Sequence, residues 1–154
     1  MSGAPLTFRR AVAGDVPALV ALLADDVLGA QREQLSAGGL ARYSAAFGQI
    51  DADPNQFLCV VERAGQIAGT LQLSFLAGLS RGGALRGQIE AVRVAAGMRG
   101  QGIGKAMVDW AIEECRARGC GLVQLTTDRS RTEAHAFYEA LGFAASHVGY
   151  KLQL

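Results

Sequence analysis

Residues 92–105 read VRVAAGMRGQGIGK and join a run of branched apolar residues to a glycine-rich turn. The alternation of Val92 and Val94 predicts a β-strand, and the glycines at 100, 102 and 104 follow where a helix begins. Backbone N–H groups at a helix start have no partner inside the helix and carry the positive end of its dipole, so they bind phosphate oxygens. Glycines let the backbone approach such a group closely. The stretch therefore predicts a strand–turn–helix unit with a phosphate-binding turn.

This turn differs from two common nucleotide-binding patterns. A Walker loop carries a hydroxyl residue directly after its lysine, whereas Ala106 follows Lys105 here. The glycine spacing and the position of the strand in the chain also differ from the dinucleotide-binding fingerprint. From the glycine spacing alone, the alternative to a phosphate-binding turn is a flexible connection that binds no ligand.

Strand-like and helix-like patterns extend on both sides of this stretch. Upstream, the patterns predict a strand at 8–10, a helix capped by Asp15, a weaker helix at 39–50, a hairpin of strands at 57–61 and 67–75, a loop at 78–87, and a strand at 88–94. Downstream, they predict a helix at 101–118, a strand at 122–126, a helix opened by a capping box of Ser130 and Glu133, and a last strand after Gly142. This order predicts an α/β fold with a mixed central sheet flanked by helices, in a single domain over residues 1–154.

The composition, 50% hydrophobic and 19% charged, is typical of a globular domain. A net charge of +1 with scattered basic residues argues against a nucleic-acid partner. The first ten residues lack a leader pattern and no apolar run approaches the roughly 20 residues of a membrane span, so we expect no membrane partner and a cytoplasmic location. The three cysteines and two histidines lack zinc-site spacing, so no metal is expected, and a catalytic thiol is the less favoured interpretation of the cysteines.

Two motifs resemble those of a known family. RGQGIG at 99–104 resembles the Q/R-x-x-G-x-G/A motif of the GNAT acetyltransferases, and AHAFYEALGF at 134–143 resembles the terminal helix motif of the same family. The resemblance covers nearly the whole chain and is weakest at 39–50. It implies a GNAT-type domain that transfers an acetyl group from acetyl-CoA directly to a primary amine, without a covalent enzyme intermediate.

The resemblance also implies a role for each matched position. Backbone groups of Val92 and Val94 would contact the pantetheine arm and the acetyl carbonyl. The pyrophosphate would be bound by the turn that consists of Arg99, Gly100, Gln101, Gly102, Ile103, Gly104 and Lys105. Tyr138 occupies the general-acid position and would protonate the departing thiolate. Arg131 stands where many members carry an asparagine, which is a departure from the family pattern.

Glu90 is the candidate general base. We expect it to lie on the same strand face as Val92, two residues before it, where it could accept the proton that a substrate ammonium must lose. The alternative is a carboxylate that pairs with Arg93 or faces solvent, and Tyr138 could likewise be a core aromatic. A catalytically silent acyl-CoA-binding or sensing module would need neither residue.

The acceptor stays open between a small-molecule amine and a peptide amine. An acidic cluster of Asp25, Asp26 and Glu33 could attract a cationic amine, whereas Arg81 and Arg86 could recognise an acidic one. The apolar segment from Tyr150 to Leu154 could pair with a second copy of the chain, which makes a homodimer a further hypothesis.

Overall fold

Five strands form one mixed sheet in chain order in the computed structural model, which describes residues 3–154. The strands are β1 (Leu6–Arg10), β2 (Gln56–Arg63), β3 (Gln66–Leu76), β4 (Arg86–Val94) and β5 (Leu122–Leu125). Neighbours from β1 to β4 are antiparallel, and β5 lies parallel to β4. The predicted mixed central sheet is confirmed. Met1 and Ser2, which the predicted domain includes, lie outside the described residues.

Helices cover both faces of this sheet. They are α1 (Val16–Ala24), α2 (Gly29–Arg32), α3 (Ala37–Ala52), α4 (Ser80–Gly83), α5 (Ile103–Ala117) and α6 (Thr132–Ala140). One face packs against α1 and α3 through a cluster that includes Leu19, Phe47 and Val60. The other face packs against α5 through a larger cluster that includes Leu73 and Met107. None of the helices in residues 3–154 is long and apolar enough to cross a membrane.

The apolar stripe of α5 lies unusually close to the sheet. Ile103, Met107, Ala111 and Cys115 are at most 1% exposed. Gly69 on β3 allows this approach, because a Cβ there would lie 2.8 Å from Sδ of Met107. The apolar period at 101–118 therefore predicted the buried face of α5 correctly.

A β-bulge interrupts β4 opposite β3. Thr70 faces Arg93 and Gln72 faces Glu90, so one intervening residue on β3 opposes two on β4. Ala91, inside the bulge, has a φ of 53°. Because side chains alternate between faces along a strand, the extra residue places Glu90 on the α1 and α3 face while Val92 packs into the α5 cluster. The expectation that Glu90 and Val92 share a face is therefore wrong.

Three predictions at element ends are also wrong. Ser130 does not cap α6, because its hydroxyl donates to Asp128 Oδ1 at 2.7 Å and the helix begins after Arg131. The Asp15 carboxylate accepts from the Val12 N–H at 2.8 Å, so it stabilises the 3₁₀ turn before α1 rather than capping α1 itself. Within the described chain, residues 144–154 form no strand, and their large apolar side chains are exposed instead of pairing with the sheet.

Candidate active site

An opening lies where β4 and β5 part. The two strands pair only over residues 86–89 and 122–125. β4 continues to Val94, and in the described part of the chain no strand lies beside residues 90–94 on that side. The α5 N-terminus lies just beyond the end of β4, and α6 packs against the same cluster as Val92 and Val94. The two sequence motifs therefore border one opening.

The glycine-rich turn presents unpaired backbone at the start of α5. Gly102 is the N-cap residue with φ 76° and ψ 3°, and no side chain in the described residues caps the helix. The first backbone bond of the helix runs from the Ala106 N–H to the Gly102 carbonyl, so the N–H groups of residues 103–105 stay unbonded within the helix. A Cβ at Gly100 or Gly102 would meet no atom within 4 Å. The open space and the free amides fit a diphosphate.

The side chains of this turn bond to the protein rather than to the open space. Arg99 donates to the Val94 carbonyl at 3.1 Å and to the Asp25 carboxylate at 3.1 Å. The side chain of Gln101 accepts from Arg63 at 2.7 Å, and Lys105 pairs with Asp109 at 2.5 Å along the helix. These contacts hold the turn in shape and leave its backbone as the binding element.

The two motifs lie beside each other. A Cβ at Gly104 would lie at ordinary van der Waals distances, 3.5 Å from Phe137 Cζ and 3.9 Å from Val94 Cγ2. Phe137 in turn packs edge-on against Tyr138, with ring centroids 5.1 Å apart. The start of α5 and the aromatic pair of α6 are therefore neighbours.

The Tyr138 phenol is protonated at neutral pH. Burial raises the pKa of Tyr138, while the nearby charges of Arg93 and Arg131 oppose that rise only in part. A phenol in this state can donate a proton but cannot accept one. Its environment therefore suits a general acid.

Glu90 lies on the other side of the sheet, in a strip of polar side chains. Its Oε1 accepts from Gln88 Nε2 at 2.7 Å, and Gln88 Oε1 accepts from Gln124 Nε2 at 2.9 Å. The carboxylate is exposed, and its neighbour across the sheet is Gln72. A cavity of about 190 Å³ between α1, α3 and the sheet reaches Gln72 and Ala91. Glu90 is not part of this lining, but it adjoins two residues that are, Gln72 across the sheet and Ala91 along the chain.

The acidic residues of the α1–α2 connection are already paired. Asp25 contacts Arg99, and Glu33 accepts from the Tyr43 hydroxyl at 2.5 Å. Asp26 Oδ2 accepts from Arg131 Nη2 at 2.9 Å and lies 3.0 Å from Arg93 Nε. Although burial raises the pKa of Asp26, hydrogen bonds from Arg131 and the Gly29 N–H lower it to about 2. Asp25 and Asp26 are therefore neutralised by arginines, whereas Glu33 keeps its negative charge.

Sequence reasoning missed the cluster of Asp26, Arg93 and Arg131 at the site. Its members lie on the α1–α2 connection, on β4 and just before α6. Arg131 carried the one available signal, because it replaces the asparagine that is frequent at its position. Of the two non-catalytic alternatives for Glu90, the pair with Arg93 does not form, because Arg93 pairs with Asp26, whereas the side chain is exposed to solvent as the other alternative states.

Comparison with known proteins identifies the class that this fold and turn define. The model of the acetyltransferase (GNAT) family matches residues 24–143, so the chain belongs to the GNAT family. Acetyl-CoA is the acetyl donor that this family uses.

Three individual proteins are similar to this chain. An aminoalkylphosphonate N-acetyltransferase from Salmonella typhimurium is 36% identical over 64% of this chain and 63% of that protein. A glucosamine 6-phosphate N-acetyltransferase from Trypanosoma brucei brucei is 38% identical over 58% of this chain and 59% of that protein. The chain thus spans less than two thirds of the length of these curated relatives. The crystal structure of a transcriptional regulator from Bacillus halodurans C-125 has a TM-score of 0.93 and 45% identity, covering 97% of this chain and 100% of that chain.

Proposed function

We propose that this chain is an N-acetyltransferase that moves an acetyl group from acetyl-CoA to the primary amine of a small molecule. The observation that carries the proposal is the set of free amides at the α5 start, with Phe137 and the buried Tyr138 of α6 beside it. The amides suit the pyrophosphate of acetyl-CoA, bound by residues 99–105. Val92 and Val94 border the opening that suits its pantetheine arm.

The proposed reaction is a direct attack. The neutral amine nitrogen bonds to the acetyl carbonyl carbon, and the carbon–sulfur bond then breaks. Tyr138 gives its phenolic proton to the departing thiolate, and the nitrogen loses a proton to leave the amide product. Tyr138 is reprotonated from solvent, so the enzyme returns to its starting state without a covalent intermediate.

Glu90 is the proposed base for the substrate ammonium. Its exposure and its place beside the cavity support this role, and the Gln88 and Gln124 side chains fix its direction. Because the bulge turns Glu90 away from the Val92 face, proton transfer through a water molecule fits better than direct contact.

A small-molecule acceptor is favoured over a peptide. The names of the two curated relatives, an aminoalkylphosphonate and a glucosamine 6-phosphate N-acetyltransferase, both state small amines. The catalytically silent acyl-CoA-binding module is less favoured, because both curated relatives are named as N-acetyltransferases.

We also infer that residues 1–154 form one GNAT domain, that it is cytoplasmic, and that it forms a homodimer. The free thiols of Cys59, Cys115 and Cys120 are in keeping with a reducing compartment. For the dimer, Tyr150 is 93% and Leu152 85% exposed, with the alternation of a strand that lacks a partner. The outer edge of β5 could pair with this segment of a second copy.

The proposed activity is tested by thiol release from acetyl-CoA with a panel of amino acids, polyamines, aminosugars, aminophosphonates and peptide amines. Calorimetry of acetyl-CoA binding runs beside it. Thiol release that depends on an amine supports the enzyme and ranks its acceptors. Tight binding with no release across the panel would favour the silent module, and no binding would overturn the proposal.

A further inference from the structure

Two guanidinium groups share a single carboxylate beside the proposed site. Arg93 and Arg131 both contact Oδ2 of Asp26, and in residues 3–154 no other carboxylate lies within ion-pair distance of either. Their side chains are 16% and 31% exposed, and that of Asp26 is 19% exposed. One positive charge of this partly buried trio is therefore not compensated within it.

The hydrogen bonding of Arg93 is also incomplete. Its Nε lies 3.0 Å from Asp26 but is not aligned for a hydrogen bond, so this buried donor has no hydrogen-bond partner among the described residues. Nη1 donates to the carbonyl of Val92. Burial lowers the pKa of Arg93, which reflects the cost of desolvating its charge. Because Nε is itself buried, a ligand would reach this guanidinium through the part of the side chain that stays exposed, which is 16% of it.

The trio adjoins both proposed catalytic groups. Arg93 and Glu90 lie on the same strand, and their partners across the sheet, Thr70 and Gln72, both line the cavity below α1 and α3. Arg93 and Arg131 are also near enough to Tyr138 for their charges to act on its phenol. Arg131, but not Arg93, lines an open pocket of about 400 Å³ at the start of α6. A ligand in this pocket meets Arg131 directly, and Arg93 lies beside it where both arginines contact Asp26.

The surrounding charges do not cancel this excess locally. Arg32 and Glu33 act on Arg93 from the α2 end with opposite signs, so their effects offset each other. Asp128 acts on Arg131 from a fully exposed position and is bonded to Ser130, so solvent screens it. The buried part of the cluster keeps its positive character.

We propose that Arg93 and Arg131 form a subsite for an oxyanion on the acceptor, which is then a small primary amine that carries a phosphonate or phosphate group. This inference rests on the proposed acetyl transfer. Guanidinium groups match the oxygens of such a group through paired, charge-assisted hydrogen bonds. Anchoring the anion here holds the amine between Glu90 and the acetyl group near Tyr138.

The test compares short primary amines of different charge. Initial rates are measured with 2-aminoethylphosphonate, O-phosphoethanolamine and neutral propylamine. We expect Arg131→Gln to raise KM for both anionic amines by about 10- to 100-fold relative to KM for propylamine. Any effect of Arg131→Gln through Tyr138 changes the rates of all three acceptors alike, so the ratio of KM values isolates the subsite. Arg131→Lys keeps the positive charge but lacks the paired N–H donors of a guanidinium, so it should give an intermediate KM for the anionic amines.

Arg129→Gln is the matched control. This exposed arginine lies two residues away and makes no ion pair in the described structure, so its loss removes the same formal charge without touching the trio. Its KM values should equal those of the wild type. A uniform rise for all acceptors, or an equal effect of Arg129→Gln, would overturn the subsite and leave Arg131 as an ion-pair link between α6 and the α1–α2 connection.

Direct binding separates the subsite from the acetyl transfer itself. Calorimetry titrates 2-aminoethylphosphonate into the protein saturated with CoA, for the wild type, Arg131→Gln and Arg93→Gln, after thermal melts confirm that each variant is folded. Binding that both variants lose, without acetyl transfer to any amine, would keep the subsite and overturn the proposed function. Transfer to propylamine as efficient as to the anionic amines would keep the function and overturn the subsite.

Discussion

Replacing Gly102 with alanine should weaken acetyl-CoA binding and fold stability by separate, measurable amounts. Gly102 has a φ of 76°, and a Cβ there would meet no atom within 4 Å. The cost to the free protein is therefore backbone strain alone, about 1–2 kcal/mol for an L-residue in this conformation. For a chain of this length that corresponds to a loss of about 2–8 °C in Tm.

The cost to binding is larger, because the Cβ would occupy the space that the pyrophosphate needs. Loss of one charge-assisted hydrogen bond from the turn corresponds to about 1.5–3 kcal/mol, or roughly a 10- to 100-fold rise in Kd. Calorimetry with acetyl-CoA measures this change, and thermal unfolding without ligand measures the strain.

Two other glycines provide the controls. Gly119 has the same φ of 76° and the same empty surroundings, but it follows the opposite end of α5, about 22 Å away. Gly119→Ala should lose similar stability and keep full acetyl-CoA affinity. Gly97 has ordinary φ and open space, so Gly97→Ala should change neither quantity. If Gly102→Ala loses stability like Gly119→Ala yet binds acetyl-CoA as the wild type does, the pyrophosphate is not bound at this turn.

Tyr138→Phe should lower kcat by about 10²- to 10⁴-fold with little change in acetyl-CoA affinity, because only the proton for the thiolate is lost; unchanged kcat would remove Tyr138 from the chemistry. The folded-state pKa of Asp26 is lowered from 3.8 to about 2, so its ionised form stabilises the fold above pH 4 and that contribution disappears as the pH falls towards 2. Denaturant unfolding should show an acid loss of at most about 2 kcal/mol that Asp26→Asn lacks; parallel pH curves would contradict this. Sedimentation should show a dimer that Leu152→Asp dissociates, and a monomeric wild type at micromolar concentration would count against the strand pairing.

The sequence predicted those parts of the fold that depend on local pattern. The apolar period of α5 and the glycines at its start depend on neighbouring residues, so both could be predicted from the chain. The bulge at Ala91 could not be predicted from the chain, because Val92 and Val94 alternate as in a regular strand. The extra residue becomes evident only when the residues of β4 are paired with those of β3. The regular alternation therefore predicts the wrong sheet face for Glu90, namely the face that Val92 occupies.

The charged cluster at the site is formed by residues that are far apart in the sequence. Asp26, Arg93 and Arg131 meet only after the sheet and α6 are assembled, so no local spacing predicts their contact. The sequence around Asp25 and Asp26 likewise predicts free carboxylates that could attract a cationic amine. Their arginine partners, Arg99 and Arg131, lie far away in the chain, so the sequence does not indicate that these carboxylates are paired. The strand predicted after Gly142 does not form in the part of the chain that the structure describes, and this shows a further limit of sequence patterns. Alternation of apolar and polar residues produces a strand only where the edge of another strand is available to pair with it.

Direct transfer of an acetyl group from acetyl-CoA to an amine can be followed by mass spectrometry of the protein and the acceptor after reaction with acetyl-CoA that carries a deuterated acetyl group. We expect the label to move to the amine in step with thiol release, and the intact protein to stay unlabelled with or without acceptor. Label on the protein as a reaction intermediate, or label that stays on CoA with every amine tested, would exclude direct transfer.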